Sequence, residues 1–337
     1  MPTDFNPDVK EIHFIKKHGS WPDAWHRFDE ESKWAIRSAI AAKRPLLLRG
    51  EPGIGKSQLA RAAAKELGVP FLPHVMNERS ERDELLYTYD AVARLAVAQM
   101  GAAALQKGET LREKLAETNF ICPGVLWWAY EWKEADRQAK CFRDHCRVCP
   151  IHEGPKDWSP TANKLCGPVV LIDEIDKADP SVPNGLLESL GNEGFSTPQL
   201  ERAVRLTEGA MPPLVIITTN EERELPAAFL RRCLVLQMAF PNEGDFEAVA
   251  KFLITDRARV QWQETQISDA ICREIITDLL KDRENARSQG LPVPGAAEFL
   301  DIVRILVEFA SGNEAEQHEA LAHIQKFAFQ KNLIETR

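Results

Sequence analysis

A glycine-rich segment carries the clearest chemical pattern in the chain. Residues 49–57 read RGEPGIGKS, which places glycines, a lysine and a hydroxyl at the spacing G-x-x-x-x-G-K-[ST]. Glycines let backbone N–H groups turn inward around a phosphate, Lys56 can reach terminal phosphates, and the Ser57 hydroxyl is suited to Mg²⁺. We therefore expect a nucleotide phosphate to bind Gly50, Glu51, Pro52, Gly53, Ile54, Gly55, Lys56, Ser57 and Gln58.

A second group of polar residues follows a buried strand. The run Val169-Val-Leu-Ile172 predicts a central parallel strand, and Asp173 and Glu174 stand at its carboxyl end. Ligands of open α/β sheets bind at that edge. Asp173 is suited to Mg²⁺ and Glu174 to polarising a water molecule. The alternative is two exposed carboxylates that end a strand, and the phosphate loop upstream argues against it.

A third group follows the next apolar run, residues 214–219, which predicts another buried strand. Asn220 ends it and can hydrogen-bond a nucleophilic water or a γ-phosphate oxygen. The predicted short helix 226–232 then ends in Arg231 and Arg232. An arginine at such a position can stabilise the charge of a phosphoryl transition state.

A cysteine-rich stretch predicts a different kind of site. Residues 141–166 are rich in proline, glycine, charge and cysteine, which indicates a loop. Cys141, Cys146, Cys149 and His152 have spacings at which thiolates and an imidazole can hold one structural zinc, with Cys166 and His145 as further candidates. The alternative is a loop with unrelated free thiols.

Hydrophobic periodicity predicts the elements that position these residues. Before the first loop we expect a helix over 23–43 and a strand over 45–48, and after it a helix over 57–67 and a strand over 69–76. Further helices are predicted over 83–105, from 111, and over 125–138. A hairpin or an exposed loop is predicted over 191–208. The helix over 125–138 is unusually aromatic, which favours a core position over a partner contact. Beyond Pro241 the pattern is helical over 246–255, 267–282, 296–309 and 316–329.

Composition limits the functional classes. The 337 residues carry a formal net charge of −9, which argues against a nucleic-acid-binding surface over the whole chain. No apolar run is long enough to span a membrane, and the first residues do not have the pattern of a signal peptide. Seven cysteines, an odd number, favour reduced thiols over a disulfide framework, and hence a cytoplasmic protein.

Taken together, the motifs resemble those of AAA+ ATPases. The phosphate loop matches Walker A, Asp173-Glu174 matches Walker B, Asn220 matches sensor 1, and Arg232 matches the arginine finger, with Arg231 as the fallback. IDEIDKADPSVPNGLLESL and ITTNEERELPAAFLRRC look most like the MoxR group, within the dynein-related AAA proteins. The resemblance implies an α/β, doubly wound αβα P-loop NTPase domain with strand order 5-1-4-3-2 and a C-terminal all-helical lid. It also implies ATP and Mg²⁺, with Ser57 and Asp173 holding the metal.

The resemblance further implies domain limits. We expect an N-terminal arm at 1–22, the ATPase domain at 23–240 and the lid at 241–337. Lys56 and Asp173 are further apart in sequence than an AAA+ core requires, which indicates a large insertion at about 78–166. The lid departs from the family, because the sensor 2 arginine usually found near its start is missing around 294–297, and Arg304 lies more than two turns later.

Three functions remain open from sequence. The first is a chaperone-like, ring-forming ATPase, typically a hexamer, that remodels protein partners, often ones with a von Willebrand factor A domain. The second is a nucleotide-state switch or scaffold with slow turnover in a signalling or defence assembly. The third is a nucleic-acid-dependent motor, which the acidic composition disfavours. Glu174 favours turnover over a pure scaffold, because a carboxylate suited to polarising water is present.

Overall fold

The structure is a computed structural model that describes residues 4–8, 11–17, 21–101, 110–145, 158–161, 163–200 and 202–328. Contacts divide the chain into two compact units. The first comprises Met1–Pro7, Glu30–Leu48 and Leu59–Leu236, and the second comprises Asp8–Asp29, Arg49–Gln58 and Gln237–Arg337. The phosphate loop therefore belongs to the second unit, and the residues around Asp173 belong to the first.

The strands are β1 (His13–Ile15), β2 (Ala24–His26), β3 (Leu46–Arg49), β4 (Phe71–Val75), β5 (Tyr87–Tyr89), β6 (Ile121–Pro123), β7 (Val169–Asp173), β8 (Gly194–Phe195), β9 (Val204–Arg205), β10 (Leu214–Thr219) and β11 (Leu234–Gln237). The helices are α1 (Glu30–Ala42), α2 (Lys56–Leu67), α3 (Arg82–Leu86), α4 (Ala91–Met100), α5 (Leu111–Lys114), α6 (Val125–Tyr130), α7 (Trp132–His145), α8 (Ser181–Gly191), α9 (Ala227–Leu230), α10 (Phe246–Ala250), α11 (Arg259–Gln261), α12 (Asp269–Ser288), α13 (Ala296–Ala310) and α14 (Glu314–Ala328).

A five-stranded sheet forms the centre of the first unit, in the order β11-β3-β10-β7-β4. Counted along the chain, this is the order 5-1-4-3-2, so the predicted doubly wound fold is confirmed. β7 pairs in parallel with β10 and β4, and Val169 is opposite both Leu214 and Phe71. The central strands are mostly apolar, as expected where helices cover both faces of a parallel sheet. Their carboxyl ends carry the predicted polar residues.

Aromatic residues of α6 belong to the core of the first unit. Trp127, Trp128 and Tyr130 are no more than 3% exposed, and they pack with Leu126 and with residues of the sheet. The Tyr130 hydroxyl donates a hydrogen bond to the Ser189 carbonyl at 3.0 Å, which joins α6 to α8. The core interpretation of this aromatic helix is therefore confirmed.

The predicted single helix over 83–105 is wrong. The chain forms α3, then β5, then α4, because Tyr87–Tyr89 pairs antiparallel with Ile121–Pro123. Tyrosine and threonine favour strands, and this pairing joins segments far apart in sequence. The Asp90 carboxylate then accepts a hydrogen bond from the Ala93 N–H at 2.7 Å and caps the start of α4.

Two further boundaries differ from prediction. The helix predicted over 125–138 is divided between α6 and α7, and Glu131 leaves helical geometry at φ −133°. Because α7 continues to His145, Cys141 lies in a helix and not in a loop. The helix predicted from Asp23 begins only at Glu30, since β2 pairs with β1 in a short hairpin that places His13 opposite His26.

The carboxyl-terminal part of the second unit is helical, as predicted. α10, a π-helical segment Lys251–Ala258, α11 and the three long helices α12, α13 and α14 surround one apolar core. Phe299, Val303 and Leu306 of α13 are fully buried at helical spacing. Among the described residues, no helix is long and apolar enough to cross a membrane.

Candidate functional site

In the first unit, Thr218 holds the Asp173 carboxylate and the Glu174 backbone at the end of β7. Its hydroxyl donates to Asp173 Oδ1 at 2.6 Å and accepts from the Glu174 N–H at 2.9 Å. Glu174 adopts a left-handed backbone conformation, with φ 58°, which is uncommon for a residue with a Cβ. This role of Thr218 was not predicted, because Thr218 lies within a largely apolar strand.

The Glu174 carboxylate lies between two nitrogen donors. Asn220 Nδ2 donates to Oε1 at 3.2 Å, and Lys177 Nζ donates to Oε2 at 2.7 Å. The structure therefore brings the predicted pair Glu174 and Asn220 together. Lys177 was not predicted. Its hydrogen bond to Glu174 raises the pKa of Lys177, so the ammonium form is maintained beside the carboxylate.

A third carboxylate holds the loop that carries Asn220. Asp176 is buried, and its Oδ2 accepts from the backbone N–H groups of Asn220 at 3.2 Å and Glu222 at 3.0 Å. These bonds join the segment after β7 to the segment after β10. Sequence reasoning missed Asp176, although it occurs in the same acidic run as Asp173 and Glu174.

The predicted arginine pair follows α9 and is exposed. Arg44 fixes its backbone, because the Arg44 guanidinium donates to the carbonyls of Arg231 at 2.5 Å, Arg232 at 3.0 Å and Cys233 at 3.1 Å. Within the described part of the chain, neither Arg231 nor Arg232 places its side chain in an ion pair. Both guanidinium groups therefore project from a rigid backbone.

In the second unit, the phosphate loop connects β3 to α2. Its glycines Gly50, Gly53 and Gly55 all have positive φ. At Gly50 a Cβ would lie 2.0 Å from the Met238 carbonyl oxygen, so only glycine fits there. The Lys56 ammonium donates to the carbonyls of Gly50 at 2.8 Å and Glu51 at 2.9 Å. The lysine thus folds back over the loop.

Glu51 connects this loop to α12. Its Oε2 accepts from Arg283 Nη2 at 2.8 Å, and Arg283 Nε also donates to Glu243 Oε1 at 2.6 Å. Arg283 is fully buried, donates to the Pro294 carbonyl and stacks on Phe240, with the guanidinium 4.0 Å from the ring centroid. Sequence analysis placed Glu51 in the loop but did not identify Arg283.

A cavity of about 250 Å³ adjoins the loop within the second unit. Gly53, Gly55 and Gln58 form one side of it, and its other lining residues come from the β2 strand and the helical region: Trp25, His26, Asp256, Arg257, Val260, Gln261, Ala297, Leu300, Asp301 and Arg304. Arg304 therefore lines the cavity despite its sequence distance from 294–297. His26 is buried, and its Nε2 has no hydrogen-bond partner among the described residues.

The predicted zinc ligands are only partly described. Cys146, Cys149 and His152 lie outside the described residues, whereas the Cys141 thiol donates to Asn119 Oδ1 at 3.2 Å. Cys166 is buried, and burial raises the pKa of its thiol to about 12, which disfavours the thiolate that zinc requires. No three His, Cys, Asp or Glu side chains in the described ranges are grouped to hold a metal.

One cysteine corrects the expectation of reduced thiols. Cys122 is disulfide-bonded. The remaining described cysteines are free thiols: Cys141, Cys166, Cys233 and Cys272.

Comparison with known proteins identifies the family. The model of the AAA domain, dynein-related subfamily (AAA_5), matches residues 45–233, which is more than half of the chain. The matched range contains the phosphate loop, the Asp173 site and the arginine pair. A search of curated proteins found no match.

Two solved structures align with the chain at low identity. A protein of Cytophaga hutchinsonii described as a "putative ATPase" is 15% identical, with 87% of this chain and 78% of that chain covered and a TM-score of 0.34. A RuvB mutant of Thermotoga maritima is 14% identical, with 88% and 69% covered and a TM-score of 0.39. At these scores the family assignment depends on the domain match alone. The chain therefore belongs to the dynein-related subfamily of AAA domains and is an ATP-hydrolysing P-loop enzyme.

Proposed function

We propose that this enzyme is a MoxR-type AAA+ ATPase that forms a ring, typically a hexamer, and uses ATP to remodel or activate protein partners. The contact between Glu174 and Asn220 is the main support, because it holds a candidate water-polarising carboxylate beside Asp173 at the end of a parallel strand. The sequences IDEIDKADPSVPNGLLESL and ITTNEERELPAAFLRRC support the MoxR group. A nucleotide switch would share the binding residues without needing this base.

Each site residue has a proposed task. Lys56 binds the terminal phosphates, and backbone N–H groups of the loop bind the phosphate oxygens. The Ser57 hydroxyl and the Asp173 carboxylate are oxygen donors of the kind that Mg²⁺ prefers, and they would hold it. The metal, when bound, neutralises phosphate charge. Glu174 polarises the attacking water while Asn220 orients it.

In this proposal, ring assembly brings the positive charge of an arginine to the nucleotide of the neighbouring subunit. Arg232, or Arg231 in its place, reaches the nucleotide of a neighbouring subunit and stabilises the charge that develops on the transferred phosphoryl group. The exposure of both side chains on a backbone held by Arg44 supports this assignment. We propose a cytoplasmic protein whose partner carries a von Willebrand factor A domain, with the insertion at about 78–166 as its partner-specific part.

Steady-state turnover tests the core of the proposal. We expect the wild-type protein to hydrolyse ATP, Glu174→Gln to bind ATP without turnover, and Lys56→Ala to lose nucleotide affinity. Wild-type-like hydrolysis by Glu174→Gln would remove Glu174 from its assigned role. Negligible turnover by a correctly assembled wild-type ring would favour the switch, and salt-sensitive stimulation by DNA or RNA would favour the motor. Protein partners can be identified by capture with the ATP-loaded Glu174→Gln variant.

A further inference from the structure

Arg257 is a cation of the helical region that lies directly on the phosphate loop. It belongs to the π-helical segment Lys251–Ala258, a rare type of turn that is frequent at functional sites. Its Nη2 donates to the Ile54 carbonyl at 3.2 Å, and its guanidinium lies 4.8 Å from the centroid of the Phe252 ring. The side chain also lines the cavity beside Gly53 and Gly55.

The charge of Arg257 lacks a carboxylate partner among the described residues. Asp256 is directed to Arg27, with 3.6 Å between Oδ1 and Nη1. Burial lowers the pKa of Arg257, and the negative charges of Asp256 and Asp29 only partly offset this effect. The Arg257 side chain is half-buried, and the one hydrogen bond given for its five N–H groups goes to a carbonyl. An anion bound in the cavity would stabilise this charge.

The other cavity arginine is already paired. Arg304 Nη1 lies 3.4 Å from Asp301 Oδ1, and the Arg304 side chain is 61% exposed. Residues 294–297 at the start of α13, where an arginine would be expected from the family, are Pro, Gly, Ala and Ala. A Cβ on Gly53 would lie 2.8 Å from the Ala297 Cβ, so Ala297 packs against the loop itself. Arg257 is thus the cavity cation that remains available.

We propose that Arg257 binds a phosphate of the nucleotide and supplies the contact from the helical region that residues 294–297 cannot make. This inference rests on the proposed function, because it requires the nucleotide to occupy the cavity beside the phosphate loop. A guanidinium suits the task, since its planar donors match phosphate oxygens in bidentate geometry. On nucleotide binding, the contact joins the π-helical segment to the ligand.

Calorimetric titration of the full chain with ATP, ADP and adenosine tests the proposal. We expect Arg257→Gln to weaken ATP and ADP binding about 10–100-fold, as for loss of a charge-assisted hydrogen bond. Adenosine, which has no phosphate, should bind the variant as it binds the wild type. Arg257→Lys should recover part of the loss. Arg273→Gln is the matched control, because Arg273 also stacks on a phenylalanine, Phe246, and lies outside the cavity lining.

The outcomes separate this inference from the proposed function. If the wild type binds no ATP, or if Lys56→Ala binds it normally, the proposed function fails. If the wild type binds ATP and Arg257→Gln binds it equally well, only the Arg257 assignment fails. Equal weakening of adenosine and ATP, or a loss seen with Arg304→Gln and not with Arg257→Gln, also overturns it. A thermal unfolding curve with the midpoint of the wild type shows that Arg257→Gln is folded.

Discussion

Arg283 of α12 and Glu51 of the phosphate loop form an ion pair in which 2.8 Å separates Nη2 from Oε2. Arg283 is fully buried, and Arg287 extends the network by pairing with Glu243. The Arg283 guanidinium donates hydrogen bonds to Glu51, Glu243 and the Pro294 carbonyl. These bonds hold three segments of the second unit together at one residue. The conformation of the loop therefore depends on a helix more than 200 residues away in sequence.

The first prediction concerns this network. Arg283→Met should lower the free energy of unfolding by about 3 kcal/mol, the low end for breaking a buried pair, because both carboxylates retain some contact with water. Arg273→Met removes the exposed pair between Arg273 and Glu247 and should lower the free energy of unfolding far less, because water screens exposed charges. Urea denaturation compares the two variants. Equal losses would mean that burial of Arg283 has no special energetic role.

Local chemistry explains how much could be predicted from the sequence. The phosphate loop, Asp173-Glu174 and the apolar strands that carry them are contiguous patterns, so both the fold and these candidate residues were identifiable. Thr218, Asp176 and Arg283 were missed because each acts through a contact between distant segments. The helix expected over 83–105 failed for the same reason. The pairing of Tyr87–Tyr89 with Ile121–Pro123 overrides the local helical pattern.

The second prediction addresses Asn220. Its side-chain amide holds Glu174, while its backbone N–H is held separately by Asp176. Asn220→Ala should therefore lower kcat for ATP about 10–100-fold and leave ATP affinity near that of the wild type. Stopped-flow turnover with parallel binding measurements distinguishes the two quantities. A rise in Kd with unchanged kcat would place Asn220 in binding and not in the chemical step.

The third prediction concerns pH. Burial, followed by the nearby charges of Arg257 and His13, lowers the pKa of His26 from 6.5 to about 3. Between these values the unfolded chain binds a proton at this residue and the folded chain does not. Stability should therefore fall as pH drops from 6.5 towards 3, by about 1.4 kcal/mol per pH unit from this group. The difference in unfolding free energy between wild type and His26→Gln, plotted against pH, should have this slope.

A control separates His26 from other titrating groups. His318 is half exposed and pairs with Glu274 at 2.9 Å, so His318→Gln removes a histidine from the surface of the same unit. Its difference curve should be flatter than that of His26→Gln over the same range. If the two difference curves have equal slopes, the buried environment of His26 does not govern acid stability.

The fourth prediction follows from the exposed arginines. If Arg232 acts on the nucleotide of a neighbour, specific activity should rise with protein concentration as rings assemble. In mixtures with wild type, Arg232→Ala subunits should depress activity below the fraction of wild-type chains present. Arg231→Ala tests the fallback in the same assay. Activity that follows the wild-type fraction in direct proportion, or a fully active dilute monomer, would refute action in trans.

The last prediction concerns the cysteines of the insertion. The zinc hypothesis for Cys141, Cys146, Cys149 and His152 stays a prediction, and a closed four-ligand site would be structural, with no position for a reactive water. Elemental analysis of protein purified without added metal should give one zinc per chain. Cys146→Ser should lose that zinc and loosen the insertion while nucleotide binding persists, whereas Cys272→Ser, in the core of the second unit, should retain it.

Disulfide formation is the competing outcome for these cysteines, because a cysteine in a disulfide cannot ligate zinc as a thiolate. Titration of free thiols in denatured protein, before and after reduction, distinguishes a disulfide from zinc-bound thiolates. If reduction releases two additional thiols and the protein contains no zinc, a disulfide and not a metal constrains this part of the chain. Equal thiol counts with one zinc would instead favour the metal site, since its thiolates are released on denaturation without a reductant.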